Sequence, residues 1–141
     1  MKLDYVKLRD NVQDLEFATN HSACFDIRSN FTPEIEGYSP HNLKKIFTPE
    51  ERDDGSMGIL LMPGERLKIP TGIVFNIPVG HSIRIHPRSG LAWKHGFRLA
   101  NGEGVIDADY HHEVFVLLHN ASCGNVWACD DERICQGELI K

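Results

Sequence analysis

The feature that most limits how this chain can fold is an alternation of apolar and polar side chains with period two. In Arg66-Leu67-Lys68-Ile69 the two kinds alternate. Ile73, Phe75 and Ile77 share one parity, and Ile83 and Ile85 alternate with Ser82, Arg84 and His86. Successive side chains of a strand point to opposite faces, so such segments are strands with one buried face. Leu3 to Leu8, Cys24 to Ser29, Val126 to Cys129 and Arg133 to Ile140 are further candidates, and the unbroken apolar run Val114 to Leu118 predicts a fully buried strand. Pro63-Gly64, Pro70-Thr71-Gly72 and Pro78-Val79-Gly80 punctuate these runs as turns. Many short strands with regular turns predict an all-β fold, a sandwich or a distorted jelly-roll barrel.

Helix signals are few. Ser89 to Lys94 predicts one or two turns, with Ser89 as cap and Gly96 as stop. Thr48-Pro49-Glu50-Glu51 carries a capping-box pattern with proline at the first helical position. It predicts a short helix inside Pro33 to Gly58, the least strand-like stretch of the chain.

The chain has 141 residues, 41% of them apolar and 25% charged, which predicts one globular domain over 1–141. Fifteen basic and twenty acidic residues leave a net charge of −5, a balance that disfavours a nucleic-acid-coating or membrane-surface protein. No apolar run approaches the ~20 residues of a membrane span, and the first residues lack a signal-peptide pattern. The expected location is cytoplasmic. Cys24, Cys123, Cys129 and Cys135 include no Cys-x-x-Cys pair, so free buried thiols are expected.

Charge is segregated in the middle of the chain. Residues 81–98 contain Arg84, Arg88, Lys94 and Arg98 and no acid. Residues 102–113 contain Glu103, Asp107, Asp109 and Glu113 and no Lys or Arg. Two readings fit: salt bridges between neighbouring strands, or a phosphate site beside a carboxylate site, the pairing that phosphoryl chemistry requires. Pro87-Arg88-Ser89-Gly90-Leu91-Ala92 offers a guanidinium fork, a hydroxyl, a glycine that admits close approach, and a helix start. Gly104-Val105-Ile106-Asp107-Ala108-Asp109-Tyr110 places two carboxylates two residues apart, with an aromatic beside them.

The segment His86 to Phe97 followed by Asn101 to Val114 resembles the trimeric dUTP diphosphatase (dUTPase) family. Of that family's five motifs, the first resembles Ala23-Cys24-Phe25-Asp26-Ile27, with Cys24 in place of glycine. The second matches Pro87 to Ala92, and the third matches Asn101 to Tyr110 at Asn101, Gly104, Ile106, Asp107, Asp109 and Tyr110. The fourth resembles Asp131 to Gln136. The glycine-rich fifth motif has no counterpart before Lys141, and His111-His112 stands where the family has a basic residue and glycine.

The resemblance implies a jelly-roll or β-clip subunit in a homotrimer with sites at subunit interfaces, and hydrolysis of dUTP to dUMP and diphosphate with Mg2+ on the triphosphate. It implies Asp107 as the base that activates water. Arg88, Ser89, Gly90 and Gln136 are implied to hold phosphates, and Asp26 to support the magnesium water shell. Asn101, Val105 and Ile106 are implied to read uracil within a hairpin from Asn101 to Tyr110, with Tyr110 packed on deoxyribose. Neither nucleic acid nor membrane is an expected partner. Two readings of Pro33 to Gly58 stay open: an ordinary surface insertion, or a mobile lid over the site, with Tyr38 and Phe47 over the base and Lys44, Lys45 and Arg52 toward phosphates. The rival readings are a dUTP-binding regulatory protein with weak or no turnover, and a dCTP deaminase-like enzyme.

Overall fold

In the computed structural model, which describes residues 3–141, the period-two segments become strands that pair antiparallel throughout. In chain order they begin β1 (Asp4–Lys7), β2 (Glu16–Phe17), β3 (Phe25–Arg28), β4 (Ile35–Tyr38), β5 (Lys44–Phe47), β6 (Glu50–Glu51), β7 (Met57–Leu61) and β8 (Arg66–Pro70). They continue with β9 (Ile73–Asn76), β10 (Ser82–Pro87), helix α1 (Ser89–His95), β11 (Phe97–Leu99), β12 (Gly104–Asp107), β13 (Phe115–Asn120), β14 (Val126–Cys129) and β15 (Arg133–Ile140). One five-stranded sheet runs β12-β10-β15-β3-β2 and a second runs β11-β13-β8-β4-β5. Smaller sheets β14-β7-β6 and β1-β9 complete the jelly-roll-type arrangement. No described helix is long and apolar enough to cross a membrane.

The inward parities of both large sheets meet in one core. Phe25 and Ile27 of β3, Ile83 and Ile85 of β10, and Leu67 and Ile69 of β8 are all at most 5% exposed. Burying side chains of this size contributes about 1.5–3 kcal/mol each, so the register that keeps them inward is strongly specified. Gly137 on β15 lies under Phe25: a Cβ there would stand 2.6 Å from the ring, so only glycine lets β15 pass.

Three expectations are corrected. Pro33 to Gly58 forms no helix. Glu50 and Glu51 pair with Gly58 and Met57 as a hairpin. The turn between them wins because Gly55, at φ 84°, takes the left-handed position and Asp54 Oδ1 accepts a hydrogen bond from the Ser56 amide at 2.9 Å. Nor is the stretch a free lid. Ile35 and Phe47 are buried core residues, Tyr38 lies beneath the Arg66 guanidinium, Lys44 pairs with Glu36 at 3.5 Å, and Arg52 sits over Trp127. Finally, Val114 to Leu118 is not buried on both faces. Val116 and Leu118 point inward, whereas Phe115 and Leu117 are 38% and 39% exposed.

Smaller differences follow local chemistry. Ser89 is the first helical residue, not the cap; Arg88 occupies the cap position without a side-chain cap bond, and Gly96 ends the helix in the left-handed conformation. The cysteines are free: Cys135 is buried, Cys24 and Cys129 are half-buried, and Cys123 is exposed rather than buried.

Lys45 of β5 pairs with Glu65, a carboxylate 1% exposed that also accepts the Met62 amide at 2.8 Å. Removing the cation would leave a buried unpaired charge. Lys45→Ala should therefore cost about 2–3 kcal/mol, near the low end for such pairs because Lys45 is partly solvated, and lower Tm by roughly 10 °C. Adding Glu65→Gln should recover part of that loss in a double-mutant thermal melt; additive losses would show that the pair is not coupled.

Burial raises the Glu132 carboxyl above its ordinary range, and its Oε1 has no hydrogen-bond partner. A raised native pKa means that the folded state holds the proton more tightly, so stability is lost as pH rises from the unfolded value through the native one. Glu132→Gln should thus raise Tm at neutral pH, with the gain vanishing below about pH 4. Melts of both proteins from pH 4 to 8 would check the sign.

Candidate functional site

β3 turns Phe25 and Ile27 into the core and so presents Asp26 outward. Its neighbours are the arginine that follows β10 and the arginine that begins β15. Arg88 Nε lies 3.5 Å from Asp26 Oδ1, and an Arg133 terminal nitrogen lies 3.6 Å from Oδ2. Arg88 also donates to the Arg133 carbonyl at 3.1 Å, and Gln136 Nε2 donates to the Pro87 carbonyl at 3.0 Å, strapping the two strand ends together. Two guanidiniums face the Asp26 carboxylate here, whose register partner on β2 is Glu16. Ser89 and Gly90 are exposed beside this cluster. A Cβ at Gly90 would meet nothing within 4 Å, so the chain's own packing does not require glycine there.

A second concavity, about 300 Å³ and lined by Asn101, Gly104, Val105, Ile106 and Tyr110, opens against the outer face of β13. That volume is at the small end of ligand clefts. Phe115 and Leu117, the exposed parity of β13, form its apolar wall. The Tyr110 hydroxyl donates to the Glu113 carbonyl at 2.8 Å. The ring of His112 meets Tyr110 edge-on, with centroids 5.6 Å apart. Glu113 is fixed in turn by Arg9 at 2.6 Å and by the Gly72 amide at 2.9 Å. Asp107 ends β12, directly after the cleft-lining Ile106, and is exposed.

The expected hairpin from Asn101 to Tyr110 is not a two-stranded ladder. The segment leaves β11, turns at Gly102 (φ 72°), and pairs as β12 with β10. It then reverses through the Tyr110 amide, which donates to the Asp107 carbonyl at 3.0 Å.

The residues named from sequence therefore fall into two groups. Asp26, Arg88, Ser89, Gly90 and Gln136 lie around the C-terminal end of β10. Asp107 lies beside its start, in register with Ser82, and Ile106 and Val105 follow opposite Ile83 and Arg84, with Asn101 and Tyr110 in the turns on either side of β12. Ser82 and Pro87 are five residue steps apart along β10, a span of about 17 Å. Arg133, Glu113 and Arg9 were not singled out from sequence. They act across separations of 104 and 107 residues (Arg9–Glu113, Asp26–Arg133), which no local pattern encodes.

Cys24, one residue before β3, has its thiol pushed up by burial and by the nearby Glu138 and Asp26 carboxylates. Its sulfur, His86 and Glu138 form a compact group on the same outward face as Asp26.

The dUTPase family profile matches residues 56–139. The deoxyuridine 5'-triphosphate nucleotidohydrolase of Aquifex aeolicus is 34% identical over 134 residues, covering 93% of this chain and 73% of that protein. The enzyme of the same name from Chlamydia caviae is 44% identical over 82 residues, covering 51% of this chain and 56% of that protein. Matches of this second kind span about half the length of the curated relatives concerned. Among solved structures, a mutant dUTPase of the S. aureus phage phi11, which coordinates a structural Mg(II) ion, superposes with a TM-score of 0.74 at 17% identity, covering 99% of this chain and 90% of that one. That likeness establishes the fold. The family profile takes in more than half of the residues and the Aquifex relative aligns along nearly the whole chain, so the chain belongs to the dUTPase family.

Proposed function

We propose that this chain hydrolyses dUTP to dUMP and diphosphate, in sites shared between copies of a homotrimer. The observation that carries the reading is the placement of Asp107: a carboxylate directly follows the backbone that walls a cleft of nucleobase size. In this reading Asn101 and the backbone of Gly104, Val105 and Ile106 read the uracil edge. The Tyr110 ring, held by its bond to the Glu113 carbonyl, packs on the deoxyribose and leaves no room for a 2′-hydroxyl.

Hydrolysis to dUMP and diphosphate breaks the anhydride between the α- and β-phosphates. Asp107 accepts a proton from the attacking water, the new P–O bond forms as the bond to the diphosphate oxygen breaks, and the leaving charge is balanced by Arg88. Arg133, the Ser89 hydroxyl, the Gly90 backbone and Gln136 hold the remaining phosphate oxygens. A general base must lie within hydrogen-bond reach of its water. A span of about 17 Å between the two groups on one chain cannot meet that requirement. A second copy supplying its arginine cluster to the first copy's cleft does meet it, which favours an assembly whose sites are completed at interfaces.

Asp26 is a single carboxylate already faced by Arg88 and Arg133. That donor set does not cage a magnesium ion, which takes oxygen ligands and retains waters. It suits an ion carried in on the triphosphate, with Asp26 accepting hydrogen bonds from its water shell. Such an ion supplies charge neutralisation to the triphosphate.

Turnover measured with magnesium across the deoxynucleoside and ribonucleoside triphosphates tests the reading: diphosphate release should be confined to dUTP. Ammonia release from dCTP, or dUTP binding without turnover, would overturn it. Asp107→Asn should lower kcat by about 10²–10⁴ while dUTP affinity stays within a few-fold. Arg88→Ala should also be nearly inactive. Mixed assemblies of the two variants should regain about a quarter of wild-type activity, since one site in four then takes an intact Asp107 from one copy and an intact Arg88 from another. Absence of recovery in proven mixed assemblies would place both residues in one chain. Tyr110→Ala should narrow the preference for dUTP over UTP by roughly tenfold or more, read as the ratio of kcat/KM values.

A further inference from the structure

The outward face of the β10–β15–β3 sheet carries a set of ligating groups that the proposed hydrolysis does not use. Alternation places Ser82, Arg84 and His86 of β10 on this face, together with Gln136 and Glu138 of β15 and Asp26 of β3. Antiparallel register sets His86 across from Gln136 and Phe25 across from Gly137. Carried one residue back along β3, the second pairing sets Cys24 across from Glu138. Two adjacent strands thus deliver an imidazole and a carboxylate to one spot, and the bend just before β3 adds a thiol.

His86 Nε2 lies 3.1 Å from Glu138 Oε1, and the three ligand atoms all lie within 4.8 Å of one another. All three residues are half-buried, so water can reach the group. Arg84, the register partner of Glu138, is directed instead toward Ser82 and Glu103, at 3.3 and 3.9 Å. Among the described residues, His86 is the only ion-pair partner of Glu138.

We propose that Cys24, His86 and Glu138 bind one divalent cation of the zinc or cobalt class, with water completing a tetrahedron, distinct from the magnesium that accompanies the triphosphate. One thiolate, one imidazole and one carboxylate is a donor set that zinc accepts, with bonds of about 2.0–2.3 Å. Tetrahedral bonds of that length hold ligand atoms roughly 3.3–3.8 Å apart, within reach of small side-chain rotations from the spacing present here. Magnesium disfavours sulfur and nitrogen, so the two ions are selected by donor chemistry. With Cys24 and Glu138 ionised, a divalent cation makes the group electrically neutral. The backbone of His86 and Glu138 is fixed by the β10–β15 ladder inside a five-stranded sheet, and Cys24 is one residue from β3, which limits the ordering cost of binding. The ion would staple β3 to β10 and β15 two residues before Asp26 and two before Arg88, stiffening the strands that carry the phosphate-facing groups.

The test is titration of the full chain with Co2+ and then Zn2+, followed by absorption spectroscopy and calorimetry. One equivalent per chain should bind at micromolar concentration, with a thiolate-to-cobalt charge-transfer band and tetrahedral d–d bands. Cys24→Ser should abolish the charge-transfer band and weaken binding roughly 100-fold, Glu138→Gln should weaken it at least tenfold with the band retained, and Cys123→Ser should change neither. In the unmutated chain, Zn2+ should slow alkylation of Cys24, read by peptide mass, while leaving the exposed Cys123 as reactive as before. The proposal is overturned by absence of binding up to millimolar metal, by a stoichiometry and spectrum that survive Cys24→Ser, or by equal protection of Cys24 and Cys123. Any of these would leave an ordinary His86–Glu138 hydrogen bond beside an unligated thiol.

Discussion

The architecture depends on the register of β10. Its inward residues, Ile83 and Ile85, are 0% and 5% exposed, and its outward ones are Ser82, Arg84 and His86. It pairs with β12 along one edge and with β15 along the other. A slip of one residue would bury an arginine and a histidine and expose two isoleucines, so the hydrophobic term holds the register. That single constraint puts Asp107 at one end of the strand and Arg88 at the other. It also aligns His86, Glu138 and Cys24. The positions of the functional groups are by-products of burying the opposite parity.

The two readings of the central charge segregation both have a part in the structure. Only one ion pair joins the basic block to the acidic one among the described residues, Arg84 with Glu103 at 3.9 Å. Arg88 turns instead to Asp26, outside both blocks, and Glu113 is taken by Arg9. Asp107 and Asp109 have no ion-pair partner among the described residues. Exposed ion pairs contribute about 0–1 kcal/mol at best, so this arrangement is poorly explained as a stability device. A pair of arginines turned to one outward carboxylate, and an Asp107 unpaired among the described residues beside the cleft-lining Ile106, fit a charged ligand better.

Much of this was legible in the sequence because it is local. The strands at 66–70, 73–76, 82–87 and 133–140 follow from parity, and the helix after Arg88 follows from its glycine stop. The Asn101 to Tyr110 and Pro87 to Ala92 segments were recognisable because close backbone approach and phosphate chemistry restrict the residues allowed. The failures came from competition between signals. At Thr48 to Glu51 a capping-box pattern lost to the Asp54-Gly55 turn, which closes a hairpin onto β7. At Val114 to Leu118 composition alone could not show that one parity faces a cleft instead of a second layer. Lys45–Glu65 and Asp26–Arg133 are invisible to any window, since only the folded sheet order brings them together.

The exposed parity of β13 shows how the fold and the proposed activity are related. Phe115 and Leu117 stay partly in water although the neighbouring Val116 and Leu118 are sealed in the core. Leaving them exposed forgoes about 25 cal/mol for every Å² that could have been buried. Val105, 52% exposed, faces them across the same cleft. The stability of the single chain does not call for apolar residues at these three positions. An apolar-walled cleft whose polar groups come from Asn101 and backbone, with Asp107 directly after its lining, is instead suited to an aromatic base: the faces meet hydrocarbon, the edge meets amides, and the charge stays outside. In the proposed function the cleft would discriminate by shape and hydrogen bonding, and the arginine cluster about 17 Å along β10 by charge. Neither alone distinguishes a nucleoside triphosphate from a nucleoside or from free diphosphate. In the proposed assembly, bringing the two together between copies would make recognition conditional on both ends of the same molecule.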